Sequence, residues 1–172
     1  MLATSLYIIY TLLYIIIYKI NLFFYAHNKI TRKNKKDFFM NILIVGAGNV
    51  GRTLATYFEE HNHDVFIISD SREKFSLLDN FSGICITGIA IDIDVLKQAG
   101  IESCDAVAAV TDDDNVNLTV AQIAKNIFNV PKVLCRVYDP KRKDIYEQYF
   151  SIPTICPTTM VVNGVINYFR EG

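Results

Sequence analysis

Cysteine is scarce and scattered: Cys85, Cys104, Cys135 and Cys156 are the four in a chain of 172 residues. No two make a CxxC pair and no histidine stands at zinc-finger spacing, so a zinc ribbon is excluded and nothing suggests a disulfide framework. The thiols read as reduced and buried, with Cys85 and Cys135 inside apolar runs of strand character. Histidine is as sparse. His27, His61 and His63 lie in the N-terminal segment or at the end of the first predicted helix, without partners for acid–base or nucleophilic catalysis. Basic charge is lacking after Met40, where 11 basic residues face 17 acidic ones. Without a basic face to release counterions from phosphates, a nucleic-acid partner is excluded. There is no internal repeat, and no TVGYG-like filter that would mark a pore.

What is present divides into 1–39 and 40–172. Met1 to Tyr18 carries no charge, apolar character resumes after Lys19, and the basic cluster Lys29 to Lys36 follows. This segment reads in two ways. As an apolar N-terminal helix it is about long enough for a single membrane span, with everything after it on the cytoplasmic side. Its bias toward Ile, Leu, Tyr, Phe, Asn and Lys equally suits translated AT-rich sequence upstream of a start at Met40. A secretory signal fits less well, since no basic residue precedes the apolar run and no small-residue cleavage site follows it.

From Asn41 onward short apolar runs alternate with helical patterns, the signature of βαβ units around a parallel sheet. Strands are predicted at Asn41–Val45, Val65–Ser69, Ile84–Thr87, Ala106–Val110, Val133–Val137 and Ile152–Ile155. Between them fall a helix to about Glu60, a second capped by Ser71 that carries Phe75, Leu77 and Leu78, and a third capped by Asp92 that stops at Gly100. A long helix opens at Asp112 to Asp114 with Val116, Val120, Ile123, Ala124 and Ile127 in one stripe. Further helices run from Lys141 to Tyr149 and from Thr158, the last burying Val162, Val165, Ile166 and Phe169. The fold class is therefore α/β, a doubly wound six-stranded parallel sheet of order 3-2-1-4-5-6.

Residues 46 to 51 read Gly46-Ala47-Gly48-Asn49-Val50-Gly51 between a strand and a helix. Gly46 permits the tight turn, Gly48 lets backbone approach a pyrophosphate, and Gly51 lets helix and strand pack closely. Asp70 follows 19 residues after Gly51, near the spacing at which an acid binds adenosine ribose hydroxyls and repels a 2′-phosphate. NAD(H) or ATP/ADP is favoured over NADP(H), with Arg72 as the residue that could reverse this. At the topological switch point Thr111 and Asp112 face the glycine loop. Asp112, Asp113 and Asp114 suit helix capping better than cation binding. Arg136, at the end of the fifth strand, either reaches a phosphate or pairs with Asp139.

The run MNILIVGAGNVGRTLA, then Asp70, Gly88, DAVAAVTDDDNVNLTVAQIAKNIFNVPKVLCRVYDP and SIPTICPTTMVVNGV together resemble the TrkA N-terminal (RCK or KTN) domain. Thr111, Asp114 and Asn117, in the spacing T-x-x-D-x-x-N, and the strand-end Arg136 are the most specific part of that likeness. The resemblance implies a cytoplasmic regulatory subunit at the inner face of the plasma membrane. It would bind NAD(H) or ATP/ADP in the crevice and act on a potassium transporter or channel membrane subunit as a homodimer or higher RCK assembly. It maps Gly46, Gly48, Gly51, Asp70, Thr111 and Arg136 onto ligand positions, and the apolar last helices onto dimer contacts. Asn49 stands where ATP-preferring relatives often place arginine, which leans toward NAD(H). Ile89 replaces a usual polar residue, and the family normally continues into a C-terminal lobe.

No residues are left for a substrate domain with an acid or base over a nicotinamide, so a sensor is expected and not an enzyme. The other readings are a fragment of an NAD-dependent oxidoreductase and a membrane-anchored nucleotide sensor of a different transporter.

Overall fold

The computed structural model of the chain describes residues 39–170. The predicted N-terminal apolar helix and membrane span lie outside the described residues. Among the described residues no helix is long and apolar enough to cross a membrane.

Strand β1 (Asn41–Val45) occupies the middle of the sheet because Ile42 to Val45 are apolar on both faces and bury completely there. Alternation then divides them. Ile42 and Ile44 join Ala55, Val65 and Ile67 in the core under helix α1 (Asn49–Glu60), whereas Leu43 and Val45 join Leu96, Val107 and Val120 on the opposite face. Each fully buried Ile or Leu contributes about 1.5–3 kcal/mol, so these two layers fix the register. Strands β2 (Asp64–Ser69), β3 (Ile84–Thr87), β4 (Ala106–Ala109), β5 (Lys132–Arg136) and β6 (Thr154–Ile155) complete a parallel sheet ordered β3-β2-β1-β4-β5-β6. That is the predicted order.

Helix α2 (Ile93–Gln98) is capped by the Asp92 carboxylate, which accepts from Asp94 N, and the chain turns out of it at Gly100 with φ +74°. Helix α3 (Asp114–Gln122) starts at the Asp113 cap, and α4 (Pro140–Phe150) at the Asp139 cap with proline in its first turn.

Several expectations need correction. The stretch after Ser71 forms only a 3-10 turn, Arg72–Leu77, and Leu77 is exposed. Asp79, Asn80 (φ +55°) and Gly83 follow too closely for another helical turn, so only Phe75 and Leu78 reach the core. Helix α3 passes into a π turn, Ile123–Ile127, in which Phe128 N donates to Ile123 O. The extra residue rotates Ile127 out of the apolar stripe and leaves it exposed, and Phe128 packs in its place. Cys85 is exposed because β3 is an edge strand, while Cys104, Cys135 and Cys156 are buried as expected.

The largest departure is the last helix, α5 (Pro157–Arg170). Its Val162, Val165, Ile166 and Phe169 are 50, 48, 41 and 75% exposed, since no described layer of the chain lies over them. Thr158 does not cap it. The Thr158 hydroxyl instead donates to Tyr138 O at 2.8 Å, and the helix begins at Pro157.

Candidate functional site

At the carboxyl ends of β1 and β4, where the order of connection reverses, lies a crevice of about 720 Å³, a size that suits a nucleotide. Its floor is the glycine loop. Gly46 has φ +108° and donates its N–H to Ile68 O, and a Cβ there would stand 2.8 Å from Thr111 N, so only glycine lets the loop pass the end of β4. Gly48 has open space where a Cβ would be, and it caps α1 without any side-chain hydrogen bond. The first-turn N–H groups of a 12-residue helix therefore face the crevice free to meet an anion. Gly51 sits behind the loop and does not line the crevice; its missing Cβ would fall 1.8 Å from Gly46 O. Arg52, which the motif does not flag, donates to Ala47 O at 2.7 Å and to Asn49 Oδ1 at 2.8 Å, holding the loop from within the helix.

One wall is built by the ends of β2 and β3. Asp70 follows β2 directly and Ser69, Gly88, Ile89 and Ala90 stand beside it. Arg72 is absent from this wall. It lines a neighbouring hollow with Glu73, Phe75, Ser76, Cys85 and Thr87, because the 3-10 turn points it away. Lys74 comes to the crevice instead, its ammonium 2.8 Å from Asp70 Oδ1. This hydrogen-bonded ammonium holds the Asp70 carboxyl below its ordinary value, and the Lys74 ammonium is raised in turn.

The opposite wall hangs on Asn117, which is fully buried and uses its whole amide. Asn117 Oδ1 accepts from Thr111 N at 2.8 Å and from the Thr111 hydroxyl at 2.7 Å. Asn117 Nδ2 donates to Thr111 O at 2.9 Å and to Arg136 O at 3.1 Å. One side chain thus ties the ends of β4 and β5 together and sets the positions of Thr111 and Arg136. Asp114, also buried, accepts from Tyr138 N at 2.9 Å and Asp139 N at 3.4 Å, and Arg142 stands 3.9 Å away. Asp113 caps α3, accepting from Asn115 N and Val116 N. Asp113 and Asp114 are thus engaged in capping and turn closure, while Asp112 lines the crevice, and among the described residues no cluster of three metal-ligating side chains occurs.

Arg136 does not pair with Asp139, whose carboxylate is taken by the α4 N-terminus. Its guanidinium donates through Nη2 to Thr111 O and lies 4.5 Å above the Tyr138 ring, while its buried Nε has no partner among the described residues. Only 7% of the residue is exposed, so a cation that meets no carboxylate among the described residues is held at the crevice wall. Sequence reasoning placed the glycine loop, Asp70, Thr111 and Arg136 here. It missed Lys74, Arg52 and Tyr138, whose only signal was position, four residues after Asp70, three after Asn49 and two after Arg136.

The TrkA-N domain family model matches residues 42–156. The Trk system potassium uptake protein TrkA of Streptomyces coelicolor is 41% identical over 117 residues, covering 67% of this chain and 52% of that protein. The Trk system potassium uptake protein TrkA homolog of Pyrococcus abyssi is 35% identical over 133 residues, 73% of this chain and 58% of its own. The chain thus spans little more than half the length of these relatives. Among solved structures, the TrkA-N domain of the inner membrane protein ybaL from Escherichia coli superposes with a TM-score of 0.67 at 14% identity, covering 76% of this chain and 98% of that one. The GsuK channel bound to NAD superposes with a TM-score of 0.59 at 20% identity, covering 73% of this chain and 23% of that one. At such identities the likeness is one of fold. The family match over the sheet and crevice carries the conclusion that this chain belongs to the TrkA-N domain family.

Proposed function

We propose that this chain is a nucleotide-binding regulatory component of a potassium uptake system. In this reading NAD(H), or alternatively ATP/ADP, occupies the crevice, and occupancy is passed to a membrane transporter or channel subunit at the inner face of the plasma membrane. The observation that carries it is the pairing, across one crevice, of a helix N-terminus at Gly48 without a side-chain cap and a buried Arg136 that meets no carboxylate among the described residues. Two separated sites for negative charge suit a pyrophosphate-containing ligand. Gly46, Ala47, Gly48, Asn49 and Val50 would cradle the phosphates, Asp70 would accept from ribose hydroxyls, and Thr111 and Arg136 would hold the far half. Gly51 acts through packing, and Arg72 is replaced in the contact set by Lys74.

Support for a potassium partner comes from the names of the relatives, and support for the ligand from a GsuK channel bound to NAD and a GsuK bound to ADP. Support for a regulatory role comes from the relatives named as potassium uptake proteins, and the anchoring of Thr111 and Arg136 through Asn117 suits a wall that holds a ligand in place. The exposed apolar face of α5, with Met160, Val161, Val165, Ile166, Tyr168 and Phe169, is the surface through which copies would pair.

Calorimetric titration of the full chain with NADH, NAD, ATP and ADP, alongside Asp70→Ala, tests the reading. Micromolar binding that the substitution weakens is the expected result. A folded chain that binds none of the four refutes it.

A further inference from the structure

We propose that Lys74 sets how the crevice treats the 2′ position of a dinucleotide, and that it admits a 2′-phosphorylated dinucleotide alongside the unphosphorylated one. This rests on the nucleotide reading of the crevice and extends it. An acid at the end of the second strand excludes a 2′-phosphate by repulsion only while its charge stands alone. Here it does not. The Lys74 ammonium lies 2.8 Å from Asp70 Oδ1, both side chains line the crevice, and the Ser69 hydroxyl also donates to Asp70 Oδ1 at 3.3 Å. The carboxylate and the ammonium cancel at short range. The Asp70 side chain is 76% exposed and that of Lys74 42%, so neither is fixed by packing and both can turn toward a ligand.

The two forms of the ligand would use the pair differently. With free 2′ and 3′ hydroxyls, Asp70 accepts through Oδ2, which has no partner among the described residues, and Lys74 stays on Oδ1. With a 2′-phosphate, the four-carbon stem of Lys74 swings the ammonium onto the phosphate oxygens as a charge-assisted donor. Lys74 also feels the charge of Asp112 across the crevice mouth. Removing it would leave two carboxylates facing the phosphate. Arg72, the cation the sequence suggests for this task, lines the adjoining hollow, so Lys74 is the cation already placed on Asp70.

The test is titration of the full 172-residue chain with NADH and with NADPH, comparing the unaltered chain with Lys74→Ala and Lys74→Arg. The unaltered chain is expected to bind NADPH within about tenfold of NADH, and Lys74→Ala to weaken NADPH about tenfold more than NADH. Lys74→Arg is expected to keep the ratio. Because Lys74 lies outside the two buried cores, circular dichroism of the variants should match the parent. Exclusion of NADPH by the unaltered chain, or an unchanged ratio in Lys74→Ala, overturns the proposal while NADH binding persists. Failure of the folded chain to bind NADH, NADPH or ADP overturns the crevice reading itself, and this proposal with it.

Discussion

Replacing Gly51 by alanine should destabilise the domain even though alanine is the better helix former. The added Cβ would stand 1.8 Å from Gly46 O, 3.0 Å from Gly46 C and 3.5 Å from Ile44 Cγ2. The first two neighbours are backbone and cannot rotate aside. To restore ordinary contact α1 must retreat by roughly 1.5 Å, which opens the layer where Ala55, Leu54 and Phe58 meet β1 and β2. Overpacking of this kind costs about 1–3 kcal/mol, loss of contact in the opened layer adds to it, and helix propensity returns about 1 kcal/mol. The net expectation is about 2 kcal/mol, or a fall in Tm of about 6–10 °C. Gly48→Ala is the internal control. Its Cβ would meet nothing within 4 Å and its φ is −72°, so the substitution costs only the weaker capping by alanine and its Tm should fall far less than that of Gly51→Ala. Its methyl group would instead stand between the loop and a pyrophosphate, and nucleotide binding should fall steeply. Calorimetric melting with nucleotide titration separates the two effects. A Gly51→Ala chain that melts at or above the parent temperature would refute the packing argument.

Asn117→Ala should lower stability by about 2–3 kcal/mol, read as a shifted urea midpoint at unchanged slope, because it strands the Thr111 N–H and Arg136 carbonyl. A loss under about 0.5 kcal/mol would contradict the assigned hydrogen bonds. Native-state thiol labelling should show one fast cysteine that disappears in Cys85→Ser, since the other three are buried. Burial pushes the Cys104 thiol up to about 11 and the Cys135 thiol up to about 12 from 9.0. Both stay protonated in the fold while the unfolded chain ionises. Stability should therefore decline as pH rises above about 9, and Cys135→Ala should flatten that alkaline slope.

The sheet was legible because β1, β4 and β5 are apolar runs with no competing period, and the glycine loop because its three glycines sit between a strand and a helix. The failures share a cause. Leu77, Ile127 and the α5 side chains all follow a helical apolar pattern, which reports what could be buried and not what lies opposite. A single π turn redirects Ile127, a turn cluster truncates the helix at Leu77, and α5 has no described layer to meet. At the site, the strand-end positions Asp70, Thr111 and Arg136 could be read from topology. Lys74 and Arg72 differ only by where a 3-10 turn aims them, which sequence spacing does not encode.

The crossing from β1 to β4 has a kinetic meaning. Asn41 N is bonded to the Asp105 carboxylate 64 residues away, and in the chain β2 and β3, which lie on the other side of β1, come between β1 and β4. Closing so long a loop is slow, and it is repaid only when both halves are in place. The crevice lies on that seam, with Gly46 and Asp70 on one half and Thr111 and Arg136 on the other. A molecule bound there would brace the least local junction of the fold, slowing its opening and making the lifetime of the folded chain a readout of occupancy.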